Sequence, residues 1–211
     1  MLVVYHLEGS RSDRLLWLLE ELGLDYHVEA FERDPQTQRA PAAMKALHPM
    51  ARAPMLRDGE ILMIESGAIF EYVLARHGGG AGLVPEVTDP DWPDYLQWLH
   101  FAEGSAMLPI LLDHFQSMGL CGEPGEAPIA AVARSELDRL HAWVESVLAL
   151  RPWLAGDRFT AADVMMGWVI ELIDQRGEIA PYPALARYVE AIRARPAHRR
   201  ARERASGESG G

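Results

Sequence analysis

The stretch LVVYHLEGSRSDRLLWLLEELGLDYHVEAF (residues 2–31) decides the fold of the first part of the chain. It starts with a short run from Leu2 to Leu7 that is rich in β-branched and aromatic residues, which predicts a β-strand. Leucines then recur at helical spacing from Ser12 onward, and Gly23 predicts the end of that helix. The residues from Tyr26 to Phe31 alternate as a second strand. A strand, a helix and a strand in succession predict a βαβ unit, whose two strands are parallel.

Further elements continue this pattern up to residue 77. The stretch from Pro41 to Leu47 predicts a short helix. Apolar runs from Pro54 to Arg57 and from Ile61 to Ile64 flank a turn at Asp58-Gly59 and predict a β-hairpin. A last helix is predicted from Ser66 to His77. The order β-α-β-α-β-β-α therefore predicts an α/β domain over residues 1–77, with a mixed four-stranded sheet and helices on its faces.

The rest of the chain has a helical pattern. Residues 78–90 are rich in glycine and proline and predict a linker. A long helix is predicted from Asp91 to Gln116, with a kink at Pro109. Further helices are predicted over residues 126–150, 160–176, 182–194 and 197–205. The sequence thus predicts an all-helical domain over residues 91–205, followed by a disordered tail at 206–211.

Composition and charge limit the partners and the location that we expect. The chain has 211 residues, 49% of them hydrophobic, which suits one large or two small globular domains. The net charge of −11 disfavours a nucleic-acid partner, because binding to phosphates needs positive charge. The sequence contains neither a run of 18 uncharged apolar residues nor the regions of a signal peptide. We therefore expect a cytoplasmic protein with neither a nucleic-acid nor a membrane partner.

Cysteine and histidine usage narrows the possible chemistry. Cys121 is the only cysteine, which excludes an internal disulfide, a CxxC redox pair and a cysteine-rich zinc site. It lies in the helical half without an evident base, so it is not expected to be a nucleophile. The eight histidines include no HExxH motif and no close pair, so we expect no metal. His6, on the first strand, is expected to lie in the core or at the sheet edge.

Basic residues are concentrated near the end of the chain. Lys45 is the only lysine, and six arginines lie between residues 193 and 204. A charge run of this kind most often forms the solvated face of a helix. A basic docking patch is the alternative interpretation.

The pair Glu65-Ser66 is the first candidate for a binding site. It lies between a predicted strand and a predicted helix, and serine is a favoured N-cap residue. The free N–H groups and the dipole at a helix start suit a carboxylate, which Ser66 could also bind through its hydroxyl. Glu65 could bind an ammonium group, so that the two together suit an α-amino acid head group. The alternative is a plain helix cap beside a solvated glutamate.

Two other stretches could take part in the same site. In RAPML (residues 52–56), a proline opens a strand; if the Ala53–Pro54 bond is cis, the backbone of Ala53 is exposed for pairing with an extended peptide ligand. In GSRSDR (residues 9–14), a serine hydroxyl at the start of a helix could hydrogen-bond a thiol and favour its thiolate. Helix capping is the competing interpretation there, with Ser12 the better cap. Thr160 and Asp163 have the spacing of a capping box and are expected to be structural.

These pieces, in this order and at this spacing, resemble the cytosolic glutathione transferase family. The resemblance covers residues 1–204 and is closest to a microbial subfamily. The stretches that carry it are SRSDRLLWLLEELGLDY (10–26), LHPMARAPML (47–56), ESGAIFEYV (65–73), EGSAMLPILL (103–112), FTAADVMMG (159–167) and PALARYVEAIRARPAHRRA (183–201).

The resemblance implies a fold, a cosubstrate and a set of binding residues. It implies a thioredoxin-like N-terminal domain, an all-helical C-terminal domain, glutathione as cosubstrate, and a homodimer with its active sites beside the subunit interface. Ser66 and Glu65 would hold the γ-glutamyl end of glutathione. Ala53 would pair its backbone with the cysteinyl part, and Pro54 would be the cis-proline. Arg52 takes the place of a basic or polar residue near the glycyl end.

The resemblance also implies how the thiol is activated. Ser10 lies four residues before Arg14, where serine-type members of the family place the activating hydroxyl. Ser12 and Tyr5 are the alternates, since Ser12 is on the same loop and tyrosine-type members use a hydroxyl on the first strand. Lys45 and His48 are looser candidates for binding the glycyl carboxylate.

Three functions remain open at this point. The first is attack of the glutathione thiolate on a small apolar electrophile, bound near Trp98, Phe101, Met107 and Leu108; the alternative role of these four residues is interdomain core. The second is glutathione-dependent reduction of peroxides or disulfides. The third is a non-catalytic interaction module that reuses the fold.

Overall fold

The computed structural model describes residues 1–37, 39–119 and 128–207. The chain divides into two compact units. The first consists of Met1–Val84 together with Ile192–Gly211, and the second consists of Pro85–Ala191.

A four-stranded mixed sheet forms the centre of the first unit. Its strands are β1 (Leu2–Leu7), β2 (Tyr26–Phe31), β3 (Met55–Asp58) and β4 (Ile61–Ile64), in the order β2-β1-β3-β4. β1 is parallel to β2 and antiparallel to β3, and β3 and β4 form the antiparallel hairpin. The predicted sheet is confirmed, because both the βαβ start and the hairpin are local patterns that fix strand direction.

Helices α1 (Ser12–Glu21), α2 (Ala42–Leu47) and α3 (Ser66–His77) accompany this sheet. The apolar stripe of α1 is fully buried, as are the inward residues of α3: Leu15, Leu16, Leu18, Leu19, Ile69, Phe70 and Val73. Each of these side chains contributes about 1.5–3 kcal/mol when it leaves water. The periodicity that predicted the two helices is therefore also what buries one face of each helix.

Helices make up most of the described part of the second unit, which also has an isolated β-bridge between Trp153 and Gly156. It contains α4 (Trp92–Phe101), α5 (Met107–Ser117), α6 (Pro128–Leu148), α7 (Ala161–Gln175) and most of α8 (Pro183–Arg193). A π-helical segment, Ala102–Ala106, joins α4 to α5. The predicted helix from Asp91 to Gln116 thus continues from α4 through this segment into α5, and the kink at Pro109 stays a prediction. Pro109 has no N–H, and its ring crowds the carbonyl four residues earlier, that of Ser105, which lies within the π-helical segment.

The last helix, α9 (Pro196–Ala205), packs on α1 within the first unit. Arg195 donates two hydrogen bonds to the carboxylate of Glu21, at 2.6 and 2.7 Å, and Arg200 donates one to Glu20 at 2.6 Å. The guanidinium of Arg204 lies 5.4 Å from the ring centre of Tyr26. Several of the C-terminal arginines thus bind α1 and β2 of their own unit, which neither sequence interpretation of the charge run anticipated.

Each predicted domain is one continuous range of sequence, so residues 197–205 were assigned to the same domain as the helices that precede them. The packing of α9 on α1 groups those residues with the sheet instead. The division into residues 1–77, 78–90 and 91–205 stays a prediction, and most of the predicted tail lies outside the described residues. Within the ranges described, we find no helix long and apolar enough to cross a membrane.

Candidate active site

The loop from Glu8 to Arg11 joins β1 to α1 and carries the first candidate hydroxyl. Gly9 has a φ of +60°, a conformation that glycine adopts at little cost. Arg33, just beyond β2, donates hydrogen bonds to the carbonyl oxygens of Glu8 and Gly9, at 3.2 and 3.1 Å. The loop is thereby tied to the neighbouring strand, which fixes the position of Ser10.

Ser10 and Ser12 form a hydrogen-bonded pair at the start of α1. Their Oγ atoms are 2.7 Å apart, and the N–H of Ser12 donates to Ser10 Oγ at 3.2 Å. Ser12 is fully buried; its Oγ accepts from the N–H of Leu7 at 3.2 Å and lies 2.8 Å from Nδ1 of His6. Ser12 was expected to cap α1, but the N-cap residue is Arg11. The correction has a clear cause: the Ser12 side chain turns back to β1 instead.

Tyr5, the third candidate hydroxyl, lies on the opposite side of β1 from His6, since successive strand residues alternate. Its side chain is 5% exposed and packs with Met44 and Met55. Nε of Arg57 donates to the Tyr5 hydroxyl at 2.8 Å. The structure therefore separates Tyr5 from the pair Ser10 and Ser12, which it brings together.

The start of α3 carries the second group of candidates. Its N-cap residue is Glu65, whose φ of +76° is in a region that side-chain-bearing residues rarely adopt. Ser66, expected to be the N-cap, is the first residue of the helix and is 3% exposed. Its Oγ accepts a hydrogen bond from Nη2 of Arg14 at 3.3 Å. The correction has a physical reason, because the buried guanidinium competes with the helix for this hydroxyl.

Arg14 is a fully buried charged residue that joins α1 to α3. Burial lowers its pKa, and the nearby guanidinium of Arg11 lowers it further, whereas Asp13 opposes both. A buried charge needs hydrogen-bond partners to be stable. The contact with Ser66 therefore orders both the arginine and the first turn of α3.

Three further charged groups lie near one another at this end of the sheet. Burial lowers the pKa of Arg11, the charge of Arg52 lowers it further, and Glu65 raises it. Arg52 and Glu65, both exposed, are thus brought together around Arg11. The groups that act on Arg11 and Arg14 are thus Arg52 and two carboxylates, Glu65 and Asp13, so the three arginines exceed the carboxylates by one.

The remaining predicted contacts lie at the entry to β3 and around α2. The Ala53–Pro54 bond is cis, Pro54 is buried and Ala53 is partly exposed. Lys45 is exposed on α2, and Nδ1 of His48 accepts the N–H of Met50 at 3.3 Å. No described hydrogen bond or ion pair connects Lys45 or His48 with the groups around Arg11.

The four residues predicted to contact an apolar substrate do not share one surface. Trp98 is fully buried; its ring stacks on Trp143 at 4.2 Å and lies 5.5 Å from that of Phe101. Met107 is also buried, whereas Leu108 is 61% exposed. Trp98 and Met107 are thus buried, with Trp98 packed inside the second unit, whereas Leu108 is exposed; the substrate role of all four residues stays a prediction.

Thr160 and Asp163 form the predicted capping box at the start of α7. Asp163 Oδ1 accepts the N–H of Leu154 at 2.9 Å, and Oδ2 accepts the N–H of Thr160 at 2.9 Å. The hydroxyls of Thr160 and Tyr188 also donate to this carboxyl group. The structural role predicted for the pair is confirmed, whereas Cys121 lies outside the described residues.

Two known sequence families match the two parts of the chain. Residues 4–81 match "Glutathione S-transferase, N-terminal domain", and residues 95–191 match "Glutathione S-transferase, C-terminal domain". Glutathione S-transferase 3 of Schizosaccharomyces pombe is 30% identical over 97% of this chain and 88% of that protein. The chain belongs to the glutathione S-transferase family.

Other relatives agree with this assignment. Glutathione S-transferase 1 of Saccharomyces cerevisiae is 30% identical over 96% of this chain and 94% of its own length. The Disulfide-bond oxidoreductase YfcG of Escherichia coli is 29% identical over 93% of this chain and 92% of its own. The relatives support an enzyme rather than the non-catalytic module that the sequence left open.

Solved structures show the same fold. A glutathione S-transferase from Actinobacillus pleuropneumoniae is 29% identical, with a TM-score of 0.87 over 98% of this chain and 93% of that one. A glutathione transferase homologue from Sulfitobacter, solved with bound glutathione, is 24% identical, with a TM-score of 0.80 over 97% and 98%. The predicted combination of a thioredoxin-like domain and a helical domain is therefore the glutathione S-transferase fold.

Sequence reasoning missed three residues of the site in this glutathione S-transferase. Arg14 was given no role of its own. Its place beside Leu15 and four residues before Leu18, on a stripe of apolar residues, could have indicated a buried charge that needs a partner. Arg33 binds the loop from a distant part of the chain, and nothing in its local sequence indicates this. His6 was expected in the core and is 1% exposed, but its contact with Ser12 was not anticipated.

Proposed function

We propose that this glutathione transferase activates the thiol of glutathione through the hydroxyl of Ser10, as a serine-type member of its family. The activated thiolate attacks an electrophilic carbon of a small apolar substrate. A positive helix end and a hydroxyl donor both favour a thiolate over a thiol. A larger fraction of thiolate at neutral pH is then the catalytic gain.

The observation that carries this proposal is the difference in exposure among the three candidate hydroxyls. Ser12 is fully buried and Tyr5 nearly so, whereas Ser10 is half-buried. Ser10 Oγ is held by the N–H and the Oγ of Ser12, so its direction is set before a ligand binds. A hydroxyl already held beside the developing charge needs little reorganisation during the reaction.

Glutathione binding is proposed to use the groups around α3 and the entry to β3. Ser66 and the N–H groups of the first turn of α3 would bind the carboxylate of the γ-glutamyl group, and Glu65 would bind its ammonium. Ala53 would pair its backbone with the cysteinyl part. Arg52 would bind the glycyl carboxylate, with Lys45 and His48 as further candidates. The local excess of arginines answers how a protein of net charge −11 could bind an anionic ligand.

Replacement of Ser10 tests the activating role. We expect Ser10→Ala to lower kcat with an aryl halide about 10- to 100-fold, the value of a hydrogen bond to a charged group. Calorimetry at a pH where glutathione binds as the neutral thiol should show an affinity within about threefold of the wild-type value, since the contacts of the γ-glutamyl end remain. Ser135→Ala, an exposed serine on α6, is the matched control. An unchanged kcat would exclude Ser10 and favour Ser12 or Tyr5.

Reduction of disulfides or peroxides by bound glutathione is the second candidate function. The similarity to the Disulfide-bond oxidoreductase of Escherichia coli favours it, because both chains match over almost their full length. In this reaction the bound thiolate would attack sulfur or oxygen instead of carbon. Rates with an aryl halide, an organic hydroperoxide and a glutathione mixed disulfide separate the two functions.

We further propose that the enzyme is a cytoplasmic homodimer, with no nucleic-acid or membrane partner. The negative net charge and the family resemblance support these assignments. Sedimentation equilibrium of the purified chain tests the dimer directly.

A further inference from the structure

His6 is a buried titratable residue next to the proposed activating group. It lies on β1, is 1% exposed, and places Nδ1 2.8 Å from Ser12 Oγ. Ser12 Oγ is in turn 2.7 Å from Ser10 Oγ. An unbroken series of hydrogen bonds therefore connects Ser10 to the imidazole, which the proposed mechanism does not use so far. We name Ser10, Ser12 and His6 the hydroxyl–imidazole chain.

The partners of Ser12 restrict the direction of these hydrogen bonds. A hydroxyl has one proton to donate and two lone pairs to accept with. The N–H of Leu7 occupies one lone pair of Ser12 Oγ. The carbonyl of Leu7 competes for the proton at 3.3 Å, but Nδ1 of His6 is closer. When Ser12 donates to His6, its second lone pair accepts the proton of Ser10.

This direction leaves Ser10 able to receive a proton. Ser10 Oγ already accepts the N–H of Ser12 at 3.2 Å and donates its own proton to Ser12. One lone pair then remains for a ligand. A thiol that approaches Ser10 can donate its S–H to this lone pair.

The surroundings of His6 suit a neutral base that becomes charged for a short time. Burial lowers the pKa of His6, so the ring is neutral at neutral pH; the backbone of Ala205 and the charge of Glu8 partly offset this effect. Asp13 Oδ1 lies 3.7 Å from Nδ1. Ala205 is the last residue of α9, and a helix C-terminus stabilises a nearby cation. The groups that reach His6 from α1, the loop after β1 and α9 therefore all favour its cation.

We propose that His6 is a positioning residue that acts through Ser12 to take up the thiol proton of bound glutathione. This proposal rests on Ser10 being the activating hydroxyl. The thiol proton moves to Ser10 Oγ, the Ser10 proton moves to Ser12 Oγ, and the Ser12 proton moves to Nδ1 of His6. The S–H bond breaks and an N–H bond forms, so a thiolate and an imidazolium replace two neutral groups and the total charge is unchanged.

The same shift leaves Ser10 ready to stabilise the product. Ser10 now carries the former thiol proton and donates it back to the thiolate as a hydrogen bond. After the conjugate forms, the proton on His6 returns through Ser12 and Ser10 to solvent. His6 is then neutral for the next turnover.

The test compares His6→Asn and Ser12→Ala with the wild-type enzyme. The ultraviolet absorbance of the thiolate of bound glutathione is titrated against pH, and kcat/KM is measured with an aryl halide over the same range. We expect the midpoint of both titrations to rise by about one pH unit in each variant, which is tenfold less thiolate below the midpoint. The Kd of glutathione from calorimetry at a pH below both midpoints should stay within about twofold, because glutathione binds there as the neutral thiol and neither residue contacts the groups proposed to bind its two ends.

His198→Asn is the matched control, since His198 is a buried histidine of the same unit that packs against Trp17. It should keep the wild-type midpoint. Thermal melting identifies variants that fail to fold, and Ser12→Ala alone decides the question if His6→Asn is among them, because it interrupts the chain while the imidazole remains.

The outcomes separate this inference from the proposed function. If Ser10→Ala raises the midpoint but folded His6→Asn and Ser12→Ala keep it, His6 has no part in activation and only this inference is overturned. If Ser10→Ala also keeps the wild-type midpoint, the activating role of Ser10 fails as well.

Discussion

In the described part of the chain, α1 and α3 begin at a serine and α7 begins directly after a threonine, and the three hydroxyls are used differently. At α7, Thr160 and Asp163 form a reciprocal capping box. At α1 and α3, Ser12 and Ser66 are the first helical residues, and their hydroxyls bind His6 and Arg14 instead of capping the helix. A hydroxyl residue at a helix start thus caps the helix in the second unit, whereas in the first unit it binds a side chain from another element.

The difference separates stability from binding. A capped helix start has its first N–H groups satisfied within the chain, which stabilises the fold. A helix start whose serine is bound elsewhere keeps first-turn N–H groups for a ligand. Local rules of this kind are broken most often at functional sites. We therefore expect changes at α7 to act on stability, and changes at α3 to act on glutathione binding.

The largest effect is expected from Asp163→Ala. The change leaves the buried N–H groups of Leu154 and Thr160 without their acceptor, so the free energy of unfolding should fall by about 2–5 kcal/mol. Urea denaturation measures this loss. Asp157→Ala, an exposed aspartate before the same helix, is the control and should change little. A loss below about 1 kcal/mol would show that the capping box is not what stabilises this region.

The same variant should change how stability depends on pH. Burial raises the pKa of Asp163 to about 6, although the N–H groups of Leu154 and Thr160 oppose the rise. In the unfolded chain, the pKa of an aspartate is about 3.9. Between about pH 4 and 6 the unfolded chain therefore loses this proton first, and the free energy of unfolding falls as the pH rises. Asp163→Ala should lack this fall; an identical slope in both proteins would contradict it.

The next largest effect is expected from Arg14→Met. The change removes the guanidinium that holds Ser66, so glutathione should bind about 10- to 100-fold more weakly, and the free energy of unfolding should fall by about 1–3 kcal/mol. Calorimetry and thermal melting measure the two quantities. Arg14→Lys keeps the charge without the planar fork and should give a smaller loss of affinity. Arg139→Met, at an exposed arginine of α6, is the control. Wild-type affinity in Arg14→Met would exclude this link between α1 and α3.

Much of the fold followed from local patterns. The strands and helices of the first unit lie within a residue or two of their predicted bounds, because alternation and helical periodicity report directly on burial. The predicted long helix contains a π-helical segment, Ala102–Ala106, and Pro109 is the residue that marks this place in the sequence. The grouping of α9 could not be predicted, because its contacts with Glu20 and Glu21 join residues some 174 to 180 positions apart.

In the candidate site, too, contacts between residues far apart in sequence could not be predicted. The resemblance to the glutathione transferase family implied functional roles for Ser10, Ser66 and the cis-proline. The structure places Ser10 just before α1 and Ser66 at the first residue of α3. Capping preference placed Ser12 and Ser66 at the N-cap, whereas each is the first residue of its helix. Such preferences describe a residue and its neighbours in sequence, whereas the competing partner of Ser66 is Arg14, 52 residues away. Long-range partners decide which local rule is followed.

A smaller effect is expected from Ser66→Ala. It should weaken glutathione binding about tenfold, the value of one hydrogen bond to a charged group, while the free energy of unfolding changes by less than about 1 kcal/mol. Calorimetry and urea denaturation give the two values, with Ser135→Ala as the control. A large loss of stability with unchanged affinity would mean that Ser66 has the structural role of Thr160.

The smallest effect is expected from the backbone at Glu65, the N-cap residue of α3. A side-chain-bearing residue at a φ of +76° costs about 1–3 kcal/mol, and glycine avoids most of that cost while losing more entropy on folding. Glu65→Gly should therefore be more stable than Glu65→Ala by about 1 kcal/mol. Both variants lack the carboxylate and should bind glutathione equally weakly. Equal stability of the two variants would show that the positive φ at residue 65 is not strained. Unequal glutathione affinity would show that the backbone at this residue, and not only the carboxylate, positions the ligand.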